Sequence, residues 1–311
     1  MFKYIILFLG AFIAGFIGFN VWNKPKLSVV MPTYNRPAYL VEAIESVLAQ
    51  TYKNFEFIII DNGSEAPTRQ ILKNFARQDS RIKLVFLPHN KGISYARNLG
   101  NDMARGDYII VMDSDDYSLP YRFEKQLDFM EKNKHIAVAT SHKKGMDGHV
   151  YNTAPMIKYE PFLLFGHYLG HPEWVVRKDF IRKNNIRYDE TRPSNVDYDF
   201  LIKVILAHGE IGYIDENLLL RRIHKENSPD YYRIQKLKAI ETAKNFMRQF
   251  DVPEEVIERL DICEIMSYAV EANKTKKYLH QDEMEKFFEK CTDKVQTVPP
   301  AKTALKENAD D

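Results

Sequence analysis

Acidic side chains crowd one short stretch of this sequence. Asp113, Asp115 and Asp116 lie within four residues, with Ser114 between the first two. Carboxylates this close repel one another and raise one another's pKa unless a cation or a set of hydrogen-bond donors compensates them. In an extended segment Asp113 and Asp115 would project to the same side. The stretch therefore predicts a Mg²⁺ or Mn²⁺ site that water and phosphate oxygens complete, where the metal would neutralise a diphosphate leaving group.

The acidic stretch follows the last of four short apolar runs that alternate with amphipathic segments. The runs predicted as strands are Leu27–Met31, Phe55–Ile60, Ile82–Leu87 and Tyr108–Met112. The segments predicted as helices are Ala38–Gln50, Pro67–Gln78 and Ile93–Arg105. This alternation predicts an α/β fold with a mostly parallel sheet covered by helices on both faces.

Polar residues directly follow each predicted strand. Thr33 and Tyr34 follow the first strand, and Asp61 and Asn62 follow the second. Ligands of an open parallel sheet bind outside the carboxyl ends of its strands, so these residues and the acidic stretch are expected at one site. The alternative is that they only form turns and helix caps, which use the same residue types.

The second half of the chain has a weaker pattern. The predicted elements there are a helix at Pro120–Asn133, a strand at Ile136–Ser141, a helix at Tyr198–His208, and strands at Ile211–Ile214 and Leu218–Ile223. Closing helices are predicted at Tyr231–Phe250, Pro253–Ala272 and Gln281–Lys290. The domain prediction is an anchor at 1–25, a catalytic domain at 26–230 with halves 26–141 and 142–230, a helical extension at 231–295 and a disordered tail at 296–311.

Composition excludes several classes of protein. The chain has 311 residues, 45% of them hydrophobic and 28% charged, as expected for a globular protein with a core. A net charge of +1 argues against a nucleic-acid partner. Cys263 and Cys291 have neither zinc-site nor disulfide-framework spacing. No Gly-x-Gly-x-x-Gly follows the first strand, which argues against a dehydrogenase.

The N-terminus predicts a membrane segment. Tyr4–Trp22 is a run of 19 residues without a charge, nearly long enough as a helix to cross a hydrocarbon core of roughly 30 Å. We interpret it as a single-pass anchor; a cleaved signal peptide is the alternative. Flanking Lys and Arg place the C-terminal side in the cytoplasm. A small-residue stripe at Gly10, Ala14 and Gly18 would permit a homodimer.

Five ordered motifs between residues 26 and 229 resemble those of the family 2 glycosyltransferases, which have the GT-A fold. They are SVVMPTYNR (28–36), QTYKNFEFIIIDNGS (50–64), NKGISYARNLG (90–100), GDYIIVMDSDD (106–116) and RIHKENS (222–228). The resemblance implies transfer of a sugar, with inversion, from a nucleotide-diphosphate sugar to a hydroxyl of a glycan or glycolipid acceptor. It favours a UDP-sugar donor and a Mn²⁺ or Mg²⁺ cofactor.

The resemblance also implies roles for residues of the donor half. Thr33 and Tyr34 would lie against the base, and Asp61 and Asn62 would hydrogen-bond it. Many members have two acids at that turn, whereas this chain has Asn62, whose amide oxygen would accept the same bond without charge. Base identity stays open for that reason.

The remaining implied roles concern the diphosphate, the sugar and the metal. Arg97 would approach the diphosphate, and Asp113 with Ser114 would contact the donor. Asp115 and His224 would bind the metal. Asp116 is expected to cap the following turn.

Asp197 is the candidate general base, because an inverting displacement needs a carboxylate beside the acceptor hydroxyl. The family usually has Glu-Asp here, and this chain has Val196-Asp197. Asp199 is the competing candidate. Acceptor contacts are expected from residues 166–174, where Trp174 has the alternative of belonging to the core. A non-catalytic glycan-binding protein that retains the fold is the alternative function.

Overall fold

The structure is a computed structural model that describes residues 24–148, 150–151, 170–192 and 194–222, with a few isolated residues between 238 and 254. Within these residues the strands form one nine-stranded sheet. The predicted strand Tyr108–Met112 is central in this sheet.

The first half builds the parallel part of the sheet. Its elements are β1 (Leu27–Thr33), α1 (Pro37–Leu48), β2 (Phe55–Asp61), α2 (Ala66–Gln78), β3 (Ile82–Phe86), α3 (Ile93–Met103) and β4 (Tyr108–Val111). β1 lies between β2 and β4, and β2 pairs with β3, all in parallel. Every residue of β1, β2 and β4 is buried, as expected for strands covered on both faces.

The second half extends the same sheet. Its elements are β5 (Tyr117–Ser118), α4 (Arg122–Lys132), β6 (Ile136–Gly145), β7 (Val150–Tyr151), a 3₁₀ turn (His171–Glu173), β8 (Val175–Arg177), α5 (Lys178–Lys183), α6 (Val196–Leu206) and β9 (Glu210–Arg221). β8 runs antiparallel to both β4 and β6, so β6 and its parallel partner β9 point the same way as β4. The strand order is β3-β2-β1-β4-β8-β6-β9-β5, and β7 pairs with β6. The sheet is therefore mixed but mostly parallel.

Helices cover both faces, as the alternating pattern predicts. One face carries α3 and α6, whose Ala96, Leu201 and Val204 pack over strand residues such as Ile109. The other face carries α1, α2 and α4. On each face, one buried cluster extends from the first half of the sheet to the second.

Several predictions need correction. The four parallel strands and first four helices match within two residues, but the two strands predicted at 211–214 and 218–223 are one strand, β9. The sequence pattern also missed β5, β7, β8 and α5. These elements have two to six residues each and are too short to show a period. The acidic stretch is a turn rather than an extended segment.

Other predictions fall outside the described residues. These are the membrane segment Tyr4–Trp22, most of the closing helices, the tail, and His224. Across the part of the chain that the structure describes, no helix is both long and apolar enough to span a bilayer.

Candidate functional site

The acidic turn lies at the carboxyl end of β4, beside the N-terminal half of the sheet. Asp113 accepts a hydrogen bond from Arg97 Nη2 of α3 at 3.3 Å. The Asp113 side chain is 28% exposed and that of Arg97 is 12% exposed. This charge-assisted contact places a cation and a carboxylate together at the carboxyl end of β4.

Asp115 and Asp116 point to different surroundings. The Asp115 side chain is 18% exposed, and its Oδ2 lies 4.0 Å from Arg36 Nε. Asp116 is buried, and its Oδ1 accepts from the backbone N of Arg222 at 2.9 Å. Asp116 thus ties the turn to the end of β9 instead of capping the following turn. Burial, followed by the charge of Asp113, raises the pKa of the Asp116 carboxyl.

The end of β1 brings Thr33 and Tyr34 to the same edge. Thr33 is buried, and its Oγ1 has no hydrogen-bond partner among the residues described. Tyr34 is 45% exposed. Asn35 follows in the left-handed region with φ 50°, which asparagine tolerates well. The exposed phenol of Tyr34 is thereby presented to solvent as a flat surface.

Asp61 is fixed within its own turn. Its Oδ1 accepts from Ser64 N at 3.1 Å, and its Oδ2 accepts from Arg69 Nε at 2.9 Å. Gly63 has φ 84°, and a Cβ there would lie 2.4 Å from the carbonyl carbon of His89. Only glycine permits the β2 turn to lie this close to the loop after β3.

Asn62 ties that loop in place. Its Nδ2 donates to Asn90 Oδ1 at 2.9 Å and to Gly92 O at 3.2 Å. Its Oδ1 accepts from Lys91 N at 2.9 Å. Both ends of the amide are therefore engaged inside the protein, and a contact from Asn62 to a nucleotide base stays a prediction.

Asp197 lies in the first turn of α6, which begins at Val196 rather than at the predicted Tyr198. Its carboxylate and that of Asp113 both raise the pKa of Tyr188, after burial as the largest cause, while Arg97 lowers it. Arg97 lies over the Tyr188 ring, 5.5 Å from its centroid, and also contacts Asp113.

Asp199 has a different environment from Asp197. Its carboxylate lies 2.7 Å from Lys203 Nζ and 3.5 Å from Arg192 Nε. Two cations thus pair with the Asp199 carboxylate. The choice between Asp197 and Asp199 as general base stays a prediction.

Tyr188 is a site residue that sequence reasoning missed. Its backbone is held by Asn98, which accepts from Tyr188 N at 3.0 Å and donates to Tyr188 O at 2.8 Å. Its ring stacks on Phe200 with centroids 4.5 Å apart, and its hydroxyl lies 2.8 Å from His171 Nε2. No local pattern marks a tyrosine in an irregular segment, so only the long-range contacts reveal it.

The predicted acceptor segment is partly described. His171, Glu173 and Trp174 are all buried, and Trp174 lies 6.0 Å from the ring of Phe200. The alternative that Trp174 belongs to the core is confirmed. His167 lies outside the described residues.

The described residues contain no group of three or more His, Cys, Asp or Glu side chains placed to hold a metal ion. Asp113 and Asp115 are nonetheless partly exposed carboxylates, the hard oxygen donors that Mg²⁺ and Mn²⁺ prefer. One or two carboxylates suffice for such an ion when phosphate and water supply its other ligands. The donor set therefore fits a divalent cation bound together with a diphosphate.

Comparisons with known proteins agree with this architecture. A glycosyltransferase of Methanocaldococcus jannaschii is 36% identical over 232 residues, which cover 71% of this chain and 79% of that one. S. aureus TarS 1-349 in complex with UDP-GlcNAc matches with a TM-score of 0.62 and 21% identity, over 88% of this chain and 82% of that chain. The mannosyltransferase PcManGT from Pyrobaculum calidifontis, in complex with GDP-Man and Mn²⁺, matches with a TM-score of 0.62 and 15% identity. That match covers 92% of this chain and 80% of that chain.

The two solved structures share the GT-A-like fold with this chain. The sequence family is set by a separate match, because the model of glycosyl transferase family 2 fits residues 28–197. That match covers more than half of the chain and includes Thr33, Asp61, Arg97, the acidic turn and Asp197. The chain belongs to glycosyl transferase family 2 and is a glycosyltransferase.

Proposed function

We propose that this chain is an inverting glycosyltransferase that moves a sugar from a nucleotide-diphosphate sugar to a hydroxyl of a glycan or glycolipid. The observation that carries the proposal is the position of Arg97 at the carboxyl end of β4, where it contacts Asp113 and lies over the ring of Tyr188. Arg97 on α3 is the proposed cation for the diphosphate, and Asp197 in the first turn of α6 is the proposed carboxylate for the acceptor.

The donor binds at the edge formed by β1, β2 and β4. The exposed ring of Tyr34 offers a stacking surface to the base, and Arg97 offers charge to the diphosphate. The solved relatives hold UDP-GlcNAc in one case and GDP-Man in the other. We favour a UDP-sugar as donor here, with Thr33 and the Asp61 turn bordering the base.

The reaction is a single displacement at the anomeric carbon. Asp197 accepts the proton of the acceptor hydroxyl, the hydroxyl oxygen forms the new bond, and the bond to the diphosphate oxygen breaks with its electron pair. Arg97 stabilises the charge on the departing diphosphate. Inversion follows because the acceptor attacks the face opposite the leaving group.

A divalent cation would add charge neutralisation at the diphosphate. Asp115 is the proposed protein ligand, since its carboxylate is partly exposed on the acidic turn. Asp113 and Ser114 are proposed to contact the donor, and His224 to complete the metal site. The Mn²⁺ held by the Pyrobaculum relative supports the choice of ion.

Membrane attachment is also part of the proposal. The uncharged run Tyr4–Trp22 would anchor the chain as a single-pass protein with its catalytic domain in the cytoplasm, close to a lipid-linked acceptor. Pairing through the stripe at Gly10, Ala14 and Gly18 would give a homodimer.

The test is to incubate the full-length chain with UDP-, GDP- and dTDP-sugars and Mn²⁺, with and without a lipid-extract acceptor. We expect the release of nucleoside diphosphate to increase with acceptor concentration. We also expect a product with inverted anomeric configuration. Nucleotide binding without any sugar release or transfer would instead favour the non-catalytic binding function.

A further inference from the structure

Arg222 joins the end of β9 to the acidic turn through two different groups. Its backbone N donates to Asp116 Oδ1 at 2.9 Å, and its side-chain Nε donates to the backbone O of Asp115 at 3.0 Å. One residue therefore holds both the carboxylate of Asp116 and the peptide group of Asp115.

The guanidinium of Arg222 also contacts helix α1. It lies over the ring of Tyr39, 4.7 Å from the centroid, and its Nη2 pairs with Glu42. Arginine suits this place because its planar group stacks and donates in several fixed directions at once, which lysine cannot do. Three elements, β9, α1 and the turn, are thus fixed to one another at Arg222.

The two ends of the turn are fixed independently of Arg222. Before the turn, Arg122 Nη2 donates to Val111 O at 2.8 Å. After it, β5 pairs with β9, with Tyr117 opposite Leu220, and Leu119 N donates to Leu218 O at 3.0 Å. In the middle of the turn, the backbone O of Asp115 accepts from Arg222 Nε, and Asp115 Oδ2 lies 4.0 Å from Arg36 Nε.

We propose that Arg222 is a positioning residue that fixes the backbone at Asp115 and so aims the Asp115 carboxylate into the donor site. The inference rests on the proposed function, in which Asp115 meets the cation and the diphosphate. Arg222 does not itself touch the reacting atoms in this account. Its effect is expected on metal-dependent donor binding rather than on the acceptor proton.

The experiment compares full-length wild type with R222A, R222K and the control E42Q, which keeps the Arg222 contacts to the turn and removes only the exposed ion pair. Hydrogen exchange of the peptide spanning residues 112–118 reports the turn directly. Calorimetry of UDP binding over a range of Mn²⁺ concentrations reports the donor site. Thermal unfolding identifies a variant that fails to fold, in which case R222K carries the test.

R222A is expected to speed exchange in the turn by about tenfold or more and to weaken Mn²⁺-dependent UDP binding by about tenfold or more, as for loss of a charge-assisted hydrogen bond. R222K is expected to restore binding only in part, because it keeps the charge without the planar donor. E42Q is expected to stay within about twofold of wild type.

The inference would be overturned if R222A and R222K both matched E42Q in the hydrogen exchange of the turn and in Mn²⁺-dependent UDP binding. The proposed function fails separately, if wild type itself binds no nucleotide with Mn²⁺. Faster exchange in the turn of R222A would then still support Arg222 as a positioning residue, and unchanged exchange would reject that role.

Discussion

Arg97 Nη2 donates to Asp113 Oδ1 at 3.3 Å, which joins helix α3 to the end of strand β4. The two residues were predicted separately, one for the diphosphate and one for the donor sugar. Their contact means that the site holds a compensated charge pair before any donor arrives. In the proposed function a diphosphate would share Arg97 with Asp113, and a divalent cation would balance the added negative charge.

R97A is expected to weaken UDP binding by about 10–100-fold, as for loss of a charge-assisted hydrogen bond of about 1.5–3 kcal/mol. Uridine, which lacks the diphosphate, is expected to bind R97A and wild type alike. Calorimetry with both ligands measures the difference. The exposed Arg77 of α2 provides the control variant R77A; equal weakening of UDP and uridine in R97A would assign Arg97 to folding instead.

D197N is expected to lower kcat by about 10²–10⁴-fold while donor affinity stays near that of wild type, because the substitution removes only the proposed general base. D199N is the matched variant two residues along α6, and its main expected effect is a lower Tm through its lost pairing with Lys203 and Arg192. Steady-state transfer kinetics distinguish the two. Normal turnover in D197N, with loss in D199N, would reverse the assignment.

N62D is expected to destabilise the protein by about 1–3 kcal/mol. The substitution removes the two amide donations and places a carboxylate against the oxygens of Asn90 and Gly92. Urea unfolding measures the loss, and N74D on the exposed side of α2 controls for an added charge. An unchanged unfolding midpoint in N62D would mean that the Asn62 contacts do not hold the loop.

The pH dependence of stability should show the ion cluster at the start of β1. The pKa of Glu131 is lowered from 4.5 to about 2 by hydrogen bonds from Lys134 and Lys26. Its stabilisation is complete above the unfolded-state value and is lost as pH falls from about 4.5 toward 2. E131Q should therefore have a lower urea midpoint than wild type at pH 7, and the two midpoints should converge near pH 2–3. A difference between the midpoints that stays constant with pH would contradict this.

The parallel half of the fold could be predicted because its strands are continuous apolar runs and its helices have a clear period. FEFIIID is buried throughout, and its predicted and observed ends differ by one residue. The strand β8 could not be predicted in the same way. VVR is three residues long and acquires its place only by pairing with β4 and β6.

The same contrast holds in the site. Asp113, Arg97 and Asp197 lie in local sequence motifs, and the structure brings Arg97 into contact with Asp113 and over the ring of Tyr188. Tyr188 and Arg222 act through partners 90 and more than 100 residues away, so their roles depend on tertiary contacts. The extended conformation assumed for the acidic stretch was wrong, because Asp116 turns inward to bind the Arg222 backbone.

The central claim is that the acidic turn and its surroundings bind a nucleotide diphosphate with a divalent cation. Calorimetry of UDP, GDP, dTDP and CDP with and without Mn²⁺ tests it on the full-length chain, with D115A and the surface control D128A beside wild type. The account predicts binding of one nucleotide that depends on Mn²⁺, is lost in D115A and is kept in D128A. Binding to none of the four, or binding that neither Mn²⁺ nor D115A changes, would contradict it.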